Sequence, residues 1–520
     1  MNATRPAAPS SRLLLAAILL AAVALRLPHL TGPIDEPHAW RQSETAQYAR
    51  SFHEDGIDLL HPSVCWLGSH RTLVEEFPLP EAVMALGYRV TGGENLPLAR
   101  LVTLAFFLGS VLYLFLLIRL LFDGATGMLA LTVFSILPLG LYYSRGIHVD
   151  PAALFFVHAA VFHAVRGYEE GRRADFFAAA LWALPACLIK APYALPFVIP
   201  VGVLVLTRFE PRRAAALALA AVPAVLGFVA WRHHSAVVNG GVPDWAFIPG
   251  FREDFAKHTQ GAASWYFGPL EMRADLRIWK VLLHRIRSGL GGVAGLALIA
   301  LGLALTAWET RRHGSRSLHF LWAWLAGSVL YVLLFFNLNA IHNYYQLPLL
   351  APAATLAAVG SAACRREWAR LAPRAAWVGT AAVIAVVGVI AARAVGATSR
   401  DYYHRDLPRL EAGAVAQAHT PRGALLIAAT SRATNTDDPR LLYQAGRYGW
   451  SVPLADLSLG LVERLRSVGA THLLVLLDRE TPAAVAEIAA VYPARDDSLP
   501  VRPWRTLLFD LGRAGSGVSP

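Results

Sequence analysis

The chain reads as a mainly α, polytopic transmembrane helical bundle of about eleven spans with a small C-terminal α/β extramembrane domain. Three observations carry that reading. Of 520 residues, 55% are hydrophobic and only 16% are charged, against about 25% charged in soluble domains. Apolar runs of the roughly 20 residues needed to cross a bilayer recur from residue 12 to residue 396. The formal charge of +11 is concentrated in arginines at the ends of those runs, a topology signal rather than a nucleic-acid footprint. No nucleic-acid partner is expected.

Hydropathy places the spans at 12–30, 98–121, 125–143, 149–166, 174–189, 191–207, 214–231, 289–308, 317–336, 346–363 and 375–396. With the N-terminus cytoplasmic, the inner loops hold Arg119; Arg166, Arg172 and Arg173; Arg208, Arg212 and Arg213; Arg311, Arg312 and Arg316; and Arg365, Arg366, Arg370 and Arg374. The short outer turns hold only Arg145 and Lys190. That is a positive-inside distribution, expected of a bacterial-type inner or plasma membrane, and the odd number of spans leaves the C-terminal domain extracytoplasmic. Arg5 and Arg12 precede the first apolar run as in a signal peptide. No small-x-small site comes before Asp35, so the run is read as a retained span. Cys65, Cys187 and Cys364 are too widely spaced for a disulfide framework or a cysteine metal motif.

Residues 1–396 form the membrane domain, with membrane lipids as its surroundings and two long outer loops, 31–97 and 232–288. The first loop contains amphipathic stretches at 39–52 and 78–90, suited to the interface plane. The second is rich in aromatics (Trp245, Phe247, Phe251, Trp265, Tyr266, Phe267, Trp279), as an interfacial lid would be. From 397 to 520 the apolar runs shorten to strand length at 424–429, 472–477 and 506–511, with helical patterns at 455–468 and 482–491. Alternation of that kind predicts a small α/β domain with some parallel pairing. There is no Gly-rich phosphate loop in it, and no internal repeat of the sort that builds many transporters.

Three polar constellations lie where the spans meet the outer face. The first is Asp35-Glu36-Pro37-His38-Ala39-Trp40-Arg41-Gln42-Ser43-Glu44. Adjacent carboxylates at a membrane exit are costly. With Pro37 starting the next helix, they stand at its positive end, which keeps them ionised. Asp35 is the expected base, with Glu36 or Glu44 assisting; helix capping is the structural alternative. The second is Ser144-Arg145-Gly146-Ile147-His148-Val149-Asp150-Pro151. Asp150 before Pro151 suits an N-cap, while Arg145, His148 and Asp150 gathered in one tight outer turn suit a functional site in which the Arg145 cation can hold a lipid phosphate. The third runs from Asn337 to Pro348 and includes His342, Tyr344 and Tyr345, able to grip a phosphate or a sugar ring or to form an aromatic belt. Lys190 either snorkels to headgroups or pairs with an anionic lipid. Glu75 and Glu76 precede the second amphipathic stretch. His53, His61 and His70 fit no metal-ligand spacing.

At these residues the chain resembles the GT-C class of membrane glycosyltransferases, in the branch related to protein O-mannosyltransferases and lipid A aminoarabinose transferases. The resemblance covers about residues 11–396. It rests on the acidic pair after the first span (Asp35-Glu36), the acid in the outer turn before the fourth (Asp150), the His-x-Tyr-Tyr-x-Leu-Pro element (His342 to Pro348), and two amphipathic helices in the first outer loop. It implies Asp35, Glu36 and Asp150 as catalytic residues. Arg41, Glu44, Glu76, Arg145, His148, Lys190, His342, Tyr344 and Tyr345 become substrate-binding residues. The implied donor is a polyprenyl-phosphate sugar. Transfer would take place on the outer face with inversion, to a lipid, glycan or protein acceptor that the sequence does not name. Arg145, Lys190 and His342 would stabilise the departing phosphate. In the aminoarabinose branch a lysine stands where this chain has Glu76, a departure at a phosphate-ligand position. No cofactor is expected, with Mg²⁺ or Mn²⁺ as the alternative. The rival readings are an oligosaccharide ligase or polymerase using a lipid-linked donor, a lipid flippase or transporter, and a non-catalytic assembly protein.

Overall fold

The computed structural model describes residues 9–36, 38–252, 263–403, 405–433, 435–478, 480–498 and 503–512. The principal helices, in chain order, are α1 (Pro9–Ala24), α2 (Ala39–Glu54), α3 (Leu79–Thr91), α4 (Leu96–Leu121), α5 (Gly124–Ile136), α6 (Pro138–Tyr143), α7 (Asp150–Glu170), α8 (Arg173–Lys190), α9 (Leu195–Thr207) and α10 (Pro211–Gly240). They continue with α11 (Leu276–Gly289), α12 (Gly292–His313), α13 (Arg316–Leu334), α14 (Leu350–Leu371), α15 (Ala376–Asp401), α16 (Leu407–His419), α17 (Arg440–Ala445), α18 (Leu459–Ser467) and α19 (Ala483–Val491). The chain divides into two compact units. One comprises Met1–Thr31, Pro97–Arg232 and Ala263–Tyr402; the other comprises Gly32–Leu96, His233–Ala262 and Tyr403–Pro520.

The first unit is helical. Among the described residues seven helical stretches are long and apolar enough to cross a membrane, and Ser11–Ala24 and Gly124–Ile136 are shorter apolar helices. The chain is an integral membrane protein. The expected spans 174–189 and 191–207 run as one apolar stretch, Arg173–Thr207, in which α8 passes to α9 through the 3₁₀ turn Ala191–Ala194. Pro192 explains the break, because it has no N–H to continue the helical ladder. The expected span 125–143 likewise breaks at Leu137, where Pro138 opens α6.

Helix α14 lies at the centre of this unit, buried continuously from Leu350 to Ser361, and packs on α5, α12 and α15. Its alanines and Gly360 let backbones approach closely, the usual device where lipid removes the hydrophobic drive between helices. A Cβ on Gly302 of α12 would stand 2.3 Å from the Leu356 carbonyl oxygen, and one on Gly360 2.3 Å from Gly302 Cα. Gly302→Ala favours an isolated helix yet is expected to destabilise this bundle by about 1–3 kcal/mol through overpacking. A lowered thermal midpoint in detergent checks this; an unchanged one would mean the helices do not cross so closely.

The second unit is built on a five-stranded sheet: β1 (Leu425–Thr430), β2 (Tyr448–Pro453), β3 (His472–Leu477), β4 (Ala494–Ser498) and β5 (Arg505–Asp510). The strand order is β2-β1-β3-β5-β4. β1 pairs in parallel with β2 and β3, and β5 runs antiparallel to β3 and β4. The strands expected at 424–429, 472–477 and 506–511 form within one residue. β2 and β4 were not legible: Gly449 interrupts the apolar pattern of one, and the other reads Ala-Arg-Asp-Asp-Ser. The first loop adds to this sheet. Gly68 N–H donates to Gly449 O (2.7 Å) and Gly449 N–H to Cys65 O (2.9 Å), along the edge of β2. Cys65, Trp66, Leu67 and Leu73 share a core with Leu426, Leu474 and Leu508.

Two sequence expectations change here. Helix α2 is buried from Ala39 through Ala49 with few gaps, so it does not lie in an interface plane with one face in lipid. The aromatics of 232–288 do not form one lid. Phe247 belongs to the core of the second unit, with Trp245 and Phe251 packed against it. In the first unit, Phe267 stacks on Phe335 and Trp279 packs on Phe336.

Candidate functional site

The sequence-predicted residues gather in two polar clusters, one in each unit. In the second unit, Asp35 and Glu36 precede α2, whose first N–H donates to Glu36 O at 2.9 Å. The helix begins at Ala39 after His38 in left-handed conformation; Pro37 lies outside the described residues. Both carboxylates are buried. Arg405 Nε donates to Asp35 Oδ2 at 3.0 Å with its own side chain 58% exposed, and Gln42 Nε2 reaches Glu36 Oε2 at 3.5 Å. Burial holds Asp35 above the usual carboxylate range, and Arg405 opposes that shift.

One turn into α2, Arg41 gathers three acids. Nη1 donates to Glu44 Oε2 and Glu75 Oε2, each at 2.9 Å, and Nη2 to Glu76 Oε2 at 2.6 Å. The segment carrying the last two is pinned by the end of α10: Asn239 Oδ1 accepts from Val74 N–H (2.9 Å), and Ser235 Oγ and Asn239 Nδ2 both donate to Val74 O (2.8 Å). Tyr48 Oη also donates to Leu73 O at 3.1 Å. One guanidinium does not offset this many acids. Burial and then Glu75 push Glu44 well up; burial also raises Glu75, against Arg41. Burial lifts Asp437 to about 7 and Glu81 to about 8. Glu81 Oε2 has no hydrogen-bond partner among the described residues.

That shift has a consequence for stability. A carboxyl whose folded pKa is raised contributes fully below its unfolded value and loses that contribution as pH rises towards the folded one. For Glu81 the window runs from about 4.5 to about 8. Glu81→Gln is therefore expected to raise stability at pH 8, on the order of a few kcal/mol at most, and to leave it little changed at pH 5. Thermal midpoints of variant and wild type across that range check it; parallel curves would refute it.

The first unit carries the second cluster. Helix α7 begins at Asp150 itself, and the residue before it makes no side-chain cap. The carboxylate is fully buried and saturated. Lys190 Nζ lies 3.0 Å from both oxygens, His148 Nδ1 is 2.5 Å from Oδ2, and the Tyr193 hydroxyl touches Oδ1. Asp150 thus works as a counter-ion rather than as an N-cap. Lys190 is buried as well and does not snorkel. Its ammonium stands 4.5 Å from the Tyr345 ring centroid and 4.9 Å from that of Tyr344, in cation–π range. His342 stacks on Tyr344 at 4.9 Å and 14°, and His148 packs on the same ring at 4.8 Å.

Residues Asn343–Leu349 form a 3₁₀ helix held by hydrogen bonds. Tyr143 Oη donates to Asn343 Oδ1 (2.6 Å) and Tyr331 Oη to Tyr345 O (2.7 Å). Tyr344 and Tyr345 are buried, so they do not form an aromatic belt.

Arg145 is fully buried, and its Nη1 donates to His29 O at 2.9 Å. Arg100 does the same for Leu30 O at 2.7 Å. Arg26 holds Ala22 O (2.8 Å), Ser135 O (2.9 Å) and Ser144 Oγ. The chain leaving α1 is thus fastened by arginines. Sequence reasoning passed over Arg26, Arg100, Tyr193 and Arg405. Tyr193 follows the Lys190-Ala191-Pro192 break and was within reach of a spacing argument; Arg405, 370 positions from Asp35, gave no signal. Among the described residues no three His, Cys, Asp or Glu side chains are arranged to hold a metal ion.

Solved structures share this architecture. ArnT from Cupriavidus metallidurans bound to undecaprenyl phosphate superimposes with a TM-score of 0.61 at 16% identity, over 97% of this chain and 98% of that one. The likeness is one of fold. AglB, an archaeal oligosaccharyltransferase from Archaeoglobus fulgidus, in complex with an inhibitory peptide and a dolichol-phosphate, matches with a TM-score of 0.56 at 11% identity, over 95% and 74%. The mycobacterial arabinofuranosyltransferase AftD matches with 0.56 at 15%, over 98% of this chain and 42% of that one. The family model described as dolichyl-phosphate-mannose-protein mannosyltransferase matches residues 75–232, a stretch that includes Glu76, Asp150 and Lys190. No curated protein shows significant sequence similarity to the chain.

Proposed function

We propose that the chain is an integral membrane glycosyltransferase. It moves a sugar from a polyprenyl-phosphate donor to a lipid, glycan or protein acceptor on the outer face of the membrane, with inversion. The observation that carries the proposal is a difference between two buried carboxylates. Asp150 has both oxygens engaged by Lys190, His148 and Tyr193. Asp35 is held through Oδ2 by one exposed arginine, and burial has raised its proton affinity. The first is built to hold a cation and the second to take a proton. The likeness in fold to ArnT bound to undecaprenyl phosphate and to AglB with a dolichol-phosphate supports the donor class.

In this reading the acceptor hydroxyl or amine gives its proton to Asp35 as its heteroatom bonds to the anomeric carbon. The bond from that carbon to the phosphate oxygen breaks, and the electron pair leaves with the polyprenyl phosphate. Direct displacement inverts the centre and needs no covalent enzyme intermediate. Lys190 offsets the charge growing on the phosphate, positioned by Asp150, with His148, His342, Tyr344 and Tyr345 around it. Arg145 secures the turn. Glu36 supports Asp35, and Arg41 with Glu44 and Glu76 fixes the start of α2. The test is a transfer assay with purified protein in lipid vesicles and a panel of polyprenyl-phosphate sugars, following release of polyprenyl phosphate. Acceptor-dependent release with one donor class is expected. Neither release nor donor binding across the panel would overturn the proposal.

A further inference from the structure

Lined by no residue of either cluster, a cavity of about 1080 Å³ in the first unit is walled by α1, α4, α5, α14 and α15. That is at or above the ~300–1,000 Å³ of a small-molecule cleft. Its wall is mostly aliphatic, and a second cavity of about 220 Å³ continues it along α1 and α5, the two sharing Ile18 and Thr132. From Ser11 to Leu25 the groove follows α1 for about 21 Å at 1.5 Å per residue, longer than half of a ~30 Å hydrocarbon core.

Three arginines stand at one end: Arg12 near the start of α1, Arg119 near the end of α4 and Arg365 near the end of α14. None makes an ion pair or side-chain hydrogen bond with another described residue. Chain direction places all three at the same side of the bundle, which the arginine distribution assigns to the cytoplasm. Asp150 and Lys190 occupy the opposite ends of α7 and α8, so this groove is not where the proposed transfer would take its phosphate.

We infer that the groove is a binding site for an anionic diacyl phospholipid of the inner leaflet, its acyl chains along α1 and α5 and its phosphate among Arg12, Arg119 and Arg365. Charge complementarity selects that occupant. A zwitterionic headgroup returns a positive charge to an already cationic mouth, whereas an anionic one gains about fivefold in affinity for each arginine near the surface. The inference does not depend on the transfer reaction, and its test contains no activity measurement.

The experiment places the full chain in nanodiscs of equal phosphatidylglycerol and phosphatidylcholine with identical chains. The protein is then extracted into mild detergent, and retained lipid is counted by native mass spectrometry. Wild type is expected to keep phosphatidylglycerol over phosphatidylcholine by at least about tenfold. The triple variant Arg12→Gln, Arg119→Gln, Arg365→Gln should lose that preference, and the triple lysine variant should keep it. Equal retention by wild type overturns the inference, as does a preference that survives the glutamine variant. Should the variants fail to fold, a phosphatidylglycerol carrying a photoreactive acyl chain decides on wild type alone. Labelling of α1 and α5 near Ile18 and Thr132 upholds the site, and labelling elsewhere refutes it. Displacement of phosphatidylglycerol by added polyprenyl phosphate would reassign the groove to the donor lipid.

Discussion

Asp35→Asn is expected to lower sugar transfer by about two to four orders of magnitude, the usual contribution of a general base, while the protein inserts normally and still binds donor. The amide keeps the shape of the side chain and can still meet Arg405, so the loss reports proton acceptance. Turnover at the wild-type rate would end the assignment of Asp35 as base. A companion measurement uses pH. A base works deprotonated, so the rate rises with pH through its pKa. Arg405 lowers the Asp35 pKa against the effect of burial. Arg405→Gln therefore moves the acid limb of the pH–rate profile upward. The arginine is more than half exposed, so water screens it and the shift should stay within about one unit. A limb that does not move would place the titrating group elsewhere.

Breaking the Asp150–Lys190 pair should have the largest effect on stability. Either Lys190→Met or Asp150→Asn leaves one buried charge without its partner, a change that costs about 3–5 kcal/mol. Removing both partners together should restore most of that loss, since apolar or neutral replacement of a whole buried pair is close to neutral. Transfer should not return with stability, because the double variant lacks the ammonium proposed to face the phosphate. Thermal unfolding beside the vesicle assay separates the two roles. A stable double variant with full activity would make the pair purely structural. An unstable one, no better than either single variant, would mean that the loss comes from disrupted packing rather than from an unpaired charge, whereas a Lys190→Met variant as stable as wild type would mean that His148 and Tyr193 already hold Asp150.

Much of this molecule was legible without coordinates because its signals are local. A run of about 20 apolar residues has few alternatives to a membrane helix, and the strands β1, β3 and β5 are mostly apolar runs. β2 and β4 lacked that signal and were missed. The candidate residues were found for the same reason: Asp35, Asp150, Lys190 and His342 are polar groups in apolar surroundings, and such groups are expensive. What each of them does was not legible, because that depends on partners far away in the chain.

Hydropathy, charge placement and short motifs, all properties of neighbouring residues, thus determined that this is a membrane bundle with an α/β tail and chose the acids worth attention. The tertiary structure alone decided that Asp150 is saturated by Lys190, His148 and Tyr193 while Asp35, among the described residues, keeps an oxygen outside its ion pair with Arg405. It also decided that Arg41 collects acids from a loop some 34 residues on, and that Arg12, Arg119 and Arg365 line one end of one cavity. The physical reason is range. A helix or strand is specified by contacts a few positions apart, whereas the charge state and availability of a buried group are set by whatever folding brings within a few ångströms of it.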